Sequence, residues 1–355
     1  MIKHQIEHLS AWTAADLSKE DCVVELDDAC LAYFAGVIET VRTRPVQDIE
    51  LDSYAGAAVP AAIKTAKQML DQGTGLVVLR GIPVEQWSSV DIEHLFWGFG
   101  LHLGVAASQS VMGDRLGHVV DVSDVDPNAR AYRSQRELSL HHDFGDYHAM
   151  ASLSLPKSGG ESRYASAITV HNIMLEEMPR HLDRLYRGYS LYRLGEQADD
   201  EPDCTPHRVP VFSVRDGLLS SRFMRGFIEA AATLREQPLE SEDIAALDAF
   251  EEVSHRDEVM LEFTLQPGEA ALYNNLFVMH ARAEFEDDKV NDIRRHLLRL
   301  WIYAEPGRAV VPEIEVFDAP GIPPQPGRSP SGEGELLRAL GASSFSRDAT
   351  RSRAS

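Results

Sequence analysis

Apolar residues in the N-terminal region recur mainly at the spacing of amphipathic helices. One series follows Asp27-Asp28, and a second follows Pro60 and stops at Gly73. Proline at the start of a helix and glycine just past its end are typical helix boundaries. Residues 1–73 are therefore predicted to form a helical cover. The two series are Leu31, Phe34, Ala35 and Ile38, followed by Ile63, Ala66 and Leu70.

The pattern changes at residue 75. The apolar run between Gly75 and Gly81 is short, which favours a fully buried strand over a helix. Ser88 with Asp91 three positions later predicts the capped start of a further helix. The chain is therefore of mixed α/β type.

From residue 138 to residue 303 strand patterns dominate. Apolar and polar side chains alternate over residues 259–265, as in a strand, and residues 266–269 are typical of a turn. Residues 270–273 start another strand, so we predict a hairpin. The Asp216-Gly217 step predicts a second hairpin turn. An insertion at about 181–252 is predicted to be partly helical, with Ser241 as a helix cap.

The chain length allows one large domain or two ordinary ones, since 355 residues with 44% apolar side chains can bury a sizeable core. We predict a single domain over residues 1–305, with its core at 74–305. Seven of the 18 prolines lie between Pro306 and Pro330, and the Ser/Arg-rich end has no apolar period. Residues 306–355 are therefore expected to form a loosely packed tail.

Charge and local composition argue against several classes of partner. A formal net charge of −22 without a Lys/Arg-rich run disfavours nucleic acid and anionic membranes. The longest apolar stretch, 54–63, is too short to cross a bilayer. The first five residues show no signal-peptide pattern, so we expect a cytoplasmic location. Three cysteines without a CxxC pair argue against a disulfide framework or a thiolate zinc site. The sequence leaves open whether the protein forms a homo-oligomer.

The segment Leu140-His141-His142-Asp143 is the first candidate for chemistry. In a strand, His141 and Asp143 share one face while His142 points to the other. An imidazole and a carboxylate then converge on one place. The pattern is common by chance, so a surface pair or a structural histidine is the alternative.

A second histidine, His280, ends an apolar stretch that follows the turn at Gly268. Together with His141 and Asp143 it would form the two-His-one-carboxylate set of non-haem Fe(II) oxygenases. Such a set leaves half of an octahedral coordination sphere open. A buried histidine with a purely structural role is the alternative.

Two arginines four residues apart, Arg295 and Arg299, precede and enter an apolar segment. A strand over 295–303 would place both on one face. Buried guanidinium groups need anionic partners, and arginine binds carboxylates in a bidentate manner. Exposed arginines paired with the acidic run 284–288 are the alternative.

The order of these motifs resembles the TauD/TfdA superfamily of Fe(II)/2-oxoglutarate-dependent oxygenases, which includes taurine dioxygenase-like and clavaminate synthase-like enzymes. The resemblance covers roughly Gly75 to Tyr303. It implies an α+β fold with a double-stranded β-helix (jelly roll) core and surrounding helices, and the use of Fe(II), 2-oxoglutarate and O₂. The motifs are HxD, Gly160-Glu161-Ser162, NN-x4-H-x-R and R-x3-R followed by an apolar strand.

The resemblance assigns roles position by position. It implies that His141, Asp143 and His280 are the iron ligands. It also implies that Arg295, assisted by the hydroxyl of Ser162, holds the distal carboxylate of 2-oxoglutarate.

Two departures from the family pattern concern the surroundings of these residues. His142 stands where Thr is common, and the 14 residues between His280 and Arg295 are more than in some members. Which of Arg294, Arg295 and Arg299 anchors 2-oxoglutarate therefore stays open. Arg299 matches a position that contacts an anionic substrate group in some members.

The implied activity is hydroxylation, or a related oxidation, of an aliphatic C–H bond. The expected substrate is a small molecule with a carboxylate or sulfonate, such as an amino acid or a derivative. A zinc metallohydrolase using the same His/Asp/His set and a non-catalytic jelly-roll binding protein are the alternatives. The arginine pair argues against the hydrolase, and the complete ligand set argues against the binding protein.

Three further polar residues are expected to have no role in the chemistry. His148, seven residues after His141, is assigned to a polar loop. His171 is assigned to the packed face of a helix. Arg222 is interpreted as a surface arginine.

Overall fold

The computed structural model describes residues 1–56, 58–123, 131–193, 195–288, 290–291, 293–318, 320–325 and 327. Its α-helices are α1 (Asp28–Val41), α2 (Ala61–Gln72), α3 (Ser89–Leu101), α4 (Ala167–Glu177), α5 (Leu182–Arg187), α6 (Arg225–Leu234) and α7 (Ser241–Ser254). Its strands are β1 (Val23–Glu25), β2 (Leu76–Arg80), β3 (Gly104–Ala106), β4 (Leu116–Val119), β5 (Leu138–His141), β6 (Tyr147–Ser154), β7 (Ser158–Gly159), β8 (Ser162–Ser166), β9 (Phe212–Arg215), β10 (Leu218–Ser221), β11 (Leu261–Phe263), β12 (Glu269–Asn274), β13 (Val278–Arg282), β14 (Phe285–Glu286) and β15 (His296–Ala304).

Two sheets organise the molecule, and the predicted mixed α/β character is confirmed. The larger has seven strands, with the order β1-β2-β12-β6-β15-β3 and with β4 also paired to β15. The smaller has four strands in the order β11-β8-β13-β5. The pairs β9–β10 and β7–β14 form two-stranded ribbons. Among the described strands, pairing is antiparallel except between β1 and β2.

The larger sheet separates two apolar cores because successive side chains of a strand point to opposite faces. In β2, Leu76 and Val78 join the core that also contains the smaller sheet, whereas Val77 and Leu79 join the core beneath the N-terminal helices. Both faces of β2 are buried. This double burial explains why its sequence is a continuous apolar run and confirms the predicted strand.

The N-terminal helices form where their boundary residues indicate. Helix α2 begins directly after Pro60 and is capped by Gly73. The Ser88 side chain accepts a hydrogen bond from the Asp91 backbone N–H at the start of α3, as the capping pattern predicts. The cover is not wholly helical, however, because residues 23–25 form β1 and pair with β2.

Two predictions about local structure are wrong. Residues 259–273 do not form a hairpin, since β11 pairs with β8 whereas β12 pairs with β2 and β6 in the other sheet. Ser241 does not cap α7, because it is the first residue of the helix and Glu240 occupies the cap position. The Ser241 hydroxyl instead lies 3.1 Å from Glu242 Oε2. The hairpin at Asp216-Gly217 is confirmed as the β9–β10 turn.

The first part of the predicted tail packs more closely than its composition suggests. Ile314, Val316 and Ile322 are buried in the core that contains the smaller sheet. Residues 328–355 lie outside the described part of the chain. Among the described residues, no helix combines the length and apolar character needed to cross a membrane.

Candidate active site

A cavity of about 580 Å³ lies where the two sheets face each other. The smaller sheet contributes side chains of β5, β8 and β13, and the larger sheet contributes side chains of β6, β12 and β15. The HxD motif, His280 and the arginine pair therefore meet at one place, although 158 residues separate His141 from Arg299.

His141, Asp143 and His280 offer ligand atoms that all lie within 4.8 Å of one another. β5 pairs with β13 so that His141 stands directly opposite His280, and their ring centroids are 4.3 Å apart. Asp143 follows two residues after the end of β5. Its Oδ1 lies 3.8 Å from His141 Nε2, and its Oδ2 lies 3.7 Å from His280 Nε2.

The backbone of Asp143 is held by two buried polar side chains. Asn275 Nδ2 donates to the Asp143 carbonyl (2.8 Å), and the Asp143 N–H donates to Asn275 Oδ1 (3.2 Å). Arg222 also donates to the Asp143 carbonyl. The prediction of a surface Arg222 is wrong, because this residue is 2% exposed and fixes the chain beside the three-residue cluster.

His142 points away from the cavity, as strand alternation predicts. It is fully buried, its N–H donates to the Phe223 carbonyl (3.0 Å), and its Nδ1 accepts from the Phe223 N–H (3.0 Å). His142 therefore ties the end of β5 to the segment that leads into α6.

Arg295 lies at the other side of the cavity and is 5% exposed. Within the described chain, no carboxylate lies within ion-pair distance of its guanidinium, which instead packs over the Phe285 ring. Burial, together with the nearby Arg282 charge, lowers the pKa of Arg295 to about 9. Such a cation is stabilised by an anion that enters the cavity.

Ser162 and Tyr164 lie on β8 and also line the cavity. Burial raises the pKa of Tyr164, against the opposing effects of a hydrogen bond with Ser162 and of the Arg295 charge. The Tyr164 hydroxyl therefore stays protonated near Arg295. Arg294, by contrast, does not line the cavity.

Arg299 lines the cavity beside the three-residue cluster. Its Nε donates to Gln109 Oε1 (2.6 Å), and its guanidinium packs between the rings of Tyr132 and Trp301. Its Nη1 lies 3.9 Å from Asp143 Oδ2. These contacts fix the guanidinium in one orientation.

Comparison with known proteins identifies the family. Residues 42–301 match the Taurine catabolism dioxygenase TauD, TfdA family. The chain belongs to this family. TauD/TfdA proteins are non-haem Fe(II)/2-oxoglutarate-dependent dioxygenases, so this protein is an oxidoreductase that uses Fe(II), 2-oxoglutarate and O₂.

Two relatives span most of this TauD/TfdA chain. FR-33289 synthase of Streptomyces rubellomurinus (strain ATCC 31215) is 33% identical over 314 residues, which cover 86% of this chain and 88% of the relative. The taurine hydroxylase-like protein SAT17 of Stachybotrys chartarum (strain CBS 109288 / IBT 7711) is 24% identical over 307 residues, which cover 82% of this chain and 77% of the relative.

Solved structures show the same fold at low sequence identity. Asparagine oxygenase in complex with Fe(II), 2S,3S-3-hydroxyasparagine and succinate superposes with a TM-score of 0.60 at 16% identity, covering 83% of this chain and 98% of that chain. The non-heme iron oxygenase OrfP in complex with Fe and alpha-ketoglutaric acid superposes with a TM-score of 0.57 at 14% identity, covering 79% of this chain and 94% of that chain.

The protonation states in this TauD/TfdA oxygenase fit a divalent metal ion. His141 Nδ1 lies 2.8 Å from the Ser139 carbonyl, which can only accept, so Nδ1 donates this hydrogen bond. Burial and the neighbouring imidazoles lower the pKa of His280, which keeps its ring neutral. Burial alone would raise the pKa of Asp143, but hydrogen bonding to His148 and the surrounding imidazoles hold this pKa well below its usual value. Neutral imidazoles and an ionised carboxylate are the forms that bind metals.

The loop interpretation of His148 is wrong. His148 lies on β6, is fully buried and lines the cavity, with Nε2 2.9 Å from Asp143 Oδ2. The usable sequence signal was its position on the inward face of an alternating strand. His171, in contrast, lies on the packed face of α4 and bonds to the Tyr186 hydroxyl (2.9 Å), as predicted.

Proposed function

We propose that His141, Asp143 and His280 hold the Fe(II) of this oxygenase, and that Arg295 with Ser162 holds the distal carboxylate of 2-oxoglutarate. The main support is the arrangement of side chains around the cavity. Three side chains of types that bind metals converge on a cavity whose wall also presents a buried arginine without a described carboxylate partner. Two imidazoles and one carboxylate leave three of six coordination positions for cosubstrate and O₂.

The protein's own residues bind and orient, and the bound cofactors supply the chemistry. Bound Fe(II) and 2-oxoglutarate would supply the oxidising chemistry: one oxygen atom of O₂ would enter succinate as 2-oxoglutarate loses CO₂, and the other would enter a substrate C–H bond. Arg295 fixes the far end of the cosubstrate by a charge-assisted hydrogen bond. Tyr164 and Ser162 offer hydroxyl groups beside it.

Arg299 supports a substrate with an anionic group. Its guanidinium faces the cavity beside Asp143, and its Nε is already engaged by Gln109. A carboxylate or sulfonate bound by the remaining N–H groups would place the adjacent carbon atoms near the metal. The structural neighbours support an amino acid or a derivative, since one was solved with 3-hydroxyasparagine and another with (3S)-hydroxy-L-Arg.

We further propose that the two facing sheets form a double-stranded β-helix within a single domain over residues 1–305. The mainly antiparallel pairing within the sheets and the cavity between them support this architecture. A cytoplasmic location is supported by the three cysteines, which are buried and unpaired. The protein would act on its small-molecule substrate either as a monomer or as a homo-oligomer.

Succinate release tests the proposed substrate class. The enzyme is incubated with Fe(II), 2-oxoglutarate and O₂ and with amino acids, their C-terminal amides, or sulfonates. A substrate should raise succinate formation, and the amide of an amino-acid substrate should lose this effect because Arg299 then lacks an anionic partner. An amide that works as well as its free acid would contradict the role of Arg299.

Gly160→Ala is expected to weaken 2-oxoglutarate binding by about tenfold, because small displacements of a positioning group are costly. Gly160 has φ of +79°, and a Cβ atom there would lie 3.1 Å from Arg295 Nε and 3.3 Å from its Cδ. The added methyl group therefore displaces the proposed anchor. Calorimetric titration of 2-oxoglutarate in the presence of Mn(II), which does not start turnover, measures the effect.

Gly217→Ala is the matched control. Gly217 has a similar φ of +81°, but a Cβ atom there meets nothing within 4 Å. Both variants bear the cost of about 1–2 kcal/mol for a left-handed non-glycine residue, and only Gly160→Ala crowds Arg295. Equal 2-oxoglutarate affinities in the two variants would contradict the predicted displacement of Arg295 by the added methyl group.

A further inference from the structure

His148 occupies the centre of the larger sheet's inner face. It lies on β6 directly between Tyr273 of β12 and Trp301 of β15, its partners on either side in the strand pairing. The ring stacks on Tyr273 with centroids 4.9 Å apart and also contacts His280 at 4.7 Å. These contacts leave the imidazole no exposed surface.

Both ring nitrogens of His148 are engaged, and the partners determine the direction of the hydrogen bonds. Nε2 lies 2.9 Å from Asp143 Oδ2, and Nδ1 lies 2.6 Å from the Tyr273 hydroxyl. An ionised carboxylate only accepts, so Nε2 must carry the proton. Neutral Nδ1 then accepts from Tyr273. The chain of donors runs from Tyr273 through His148 to Asp143.

A second donor meets the same carboxylate oxygen. Trp301 Nε1 donates to Asp143 Oδ2 at 3.1 Å. Two N–H groups therefore occupy the lone pairs of Oδ2, since a carboxylate oxygen has about two acceptor sites. Oδ1, which lies 3.8 Å from His141 Nε2, keeps its lone pairs for a metal ion.

We propose that His148 is a positioning residue that holds Asp143 so that it binds the metal through Oδ1 alone. The inference rests on the proposed function, in which Asp143 is a ligand. A carboxylate bound through one oxygen, with two imidazoles, takes three coordination positions and leaves three open. A carboxylate free to rotate could bind through both oxygens and would take a position that 2-oxoglutarate or O₂ needs.

The hydrogen bonds also argue against His148 as a fourth ligand. A ligand nitrogen must offer a lone pair, but Nε2 of His148 donates to Asp143 and Nδ1 accepts from Tyr273. Accordingly, the cluster of mutually close ligand atoms contains His141, Asp143 and His280 and does not include His148.

Metal affinity of the substrate-free protein tests the proposal. Co(II) alone is titrated into metal-free wild type, His148→Leu, His148→Gln and Tyr273→Phe, and its visible spectrum reports the coordination number. His148→Leu should bind Co(II) about 10–100-fold more weakly, the usual effect of losing a partner of a metal ligand. His148→Gln should recover most of the affinity, because the amide Nε2 can replace the ring N–H donor. Tyr273→Phe should give a smaller loss.

The outcomes separate this role from others. Wild-type affinity in His148→Leu, or equal loss in the Leu and Gln variants, would overturn the proposal. A lower coordination number in His148→Leu would identify a ligand and would also overturn it. If His148→Leu does not fold, the Gln variant and Tyr273→Phe decide, since unchanged affinity in Tyr273→Phe contradicts the donor chain. Failure of wild type to bind Co(II) at all would instead reject the proposed metal site.

Discussion

His280→Ala is expected to bind Fe(II) more than about 100-fold more weakly than the wild-type protein and to form no succinate above background. Losing an outer partner of a ligand already costs about 10–100-fold in metal affinity, and losing a ligand should cost more. His280 stands opposite His141 in the β5–β13 pair, so its removal opens one side of the three-residue cluster. Anaerobic titration of Fe(II) measures the affinity.

An exposed histidine gives the control for this substitution. His4 is exposed and lies far along the chain from His141, Asp143 and His280. His4→Ala should therefore retain the wild-type affinity for Fe(II) and the wild-type turnover. His141→Ala should behave like His280→Ala. A folded His280→Ala protein that binds Fe(II) as tightly as wild type would show that the cluster is structural.

Arg295→Met is expected to raise the dissociation constant of 2-oxoglutarate by about 100-fold, because breaking a buried hydrogen-bonded charge pair costs about 2–5 kcal/mol. The ligand-free protein should not lose stability. Arg295 is a buried cation without a described carboxylate partner, and burial lowers its pKa to about 9, so removing its charge relieves a desolvation cost. Calorimetric titration with Mn(II) present and thermal unfolding without ligand measure the two effects.

The neighbouring arginines decide whether the anchor is correctly assigned. Arg294 does not line the cavity, so Arg294→Met should bind 2-oxoglutarate like wild type. Arg299→Met should affect the substrate more than the cosubstrate. Full loss of 2-oxoglutarate binding in Arg294→Met or Arg299→Met, with normal binding in Arg295→Met, would contradict the assignment.

Local sequence patterns predicted the elements better than their partners. Pro60 and Gly73 bound α2, and Ser88 caps α3, because these features depend on residues within one turn of the chain. The expected hairpin over 259–273 is wrong because alternation identifies a strand but not its neighbour. β12 pairs with β2, whose residues lie nearly 200 positions earlier, and that choice depends on the tertiary core.

The same limit applies to the site. The HxD spacing predicted that His141 and Asp143 share a face, and the motif order indicated the family. The sequence interpretation missed the supporting residues, since His148 and Arg222 act on Asp143 through pairings between distant segments. A charged or polar residue gives no local indication of burial when its partners come from other strands.

Anaerobic addition of Fe(II) and 2-oxoglutarate tests whether the proposed residues bind both cofactors at one site. If His141, Asp143 and His280 bind Fe(II) and Arg295 orients 2-oxoglutarate towards it, wild type should develop a weak visible metal-to-ligand charge-transfer band. The band should require both additions and should be absent in His280→Ala. A well-folded wild-type protein that shows no band with both present would show that Fe(II) and 2-oxoglutarate do not bind together at this site.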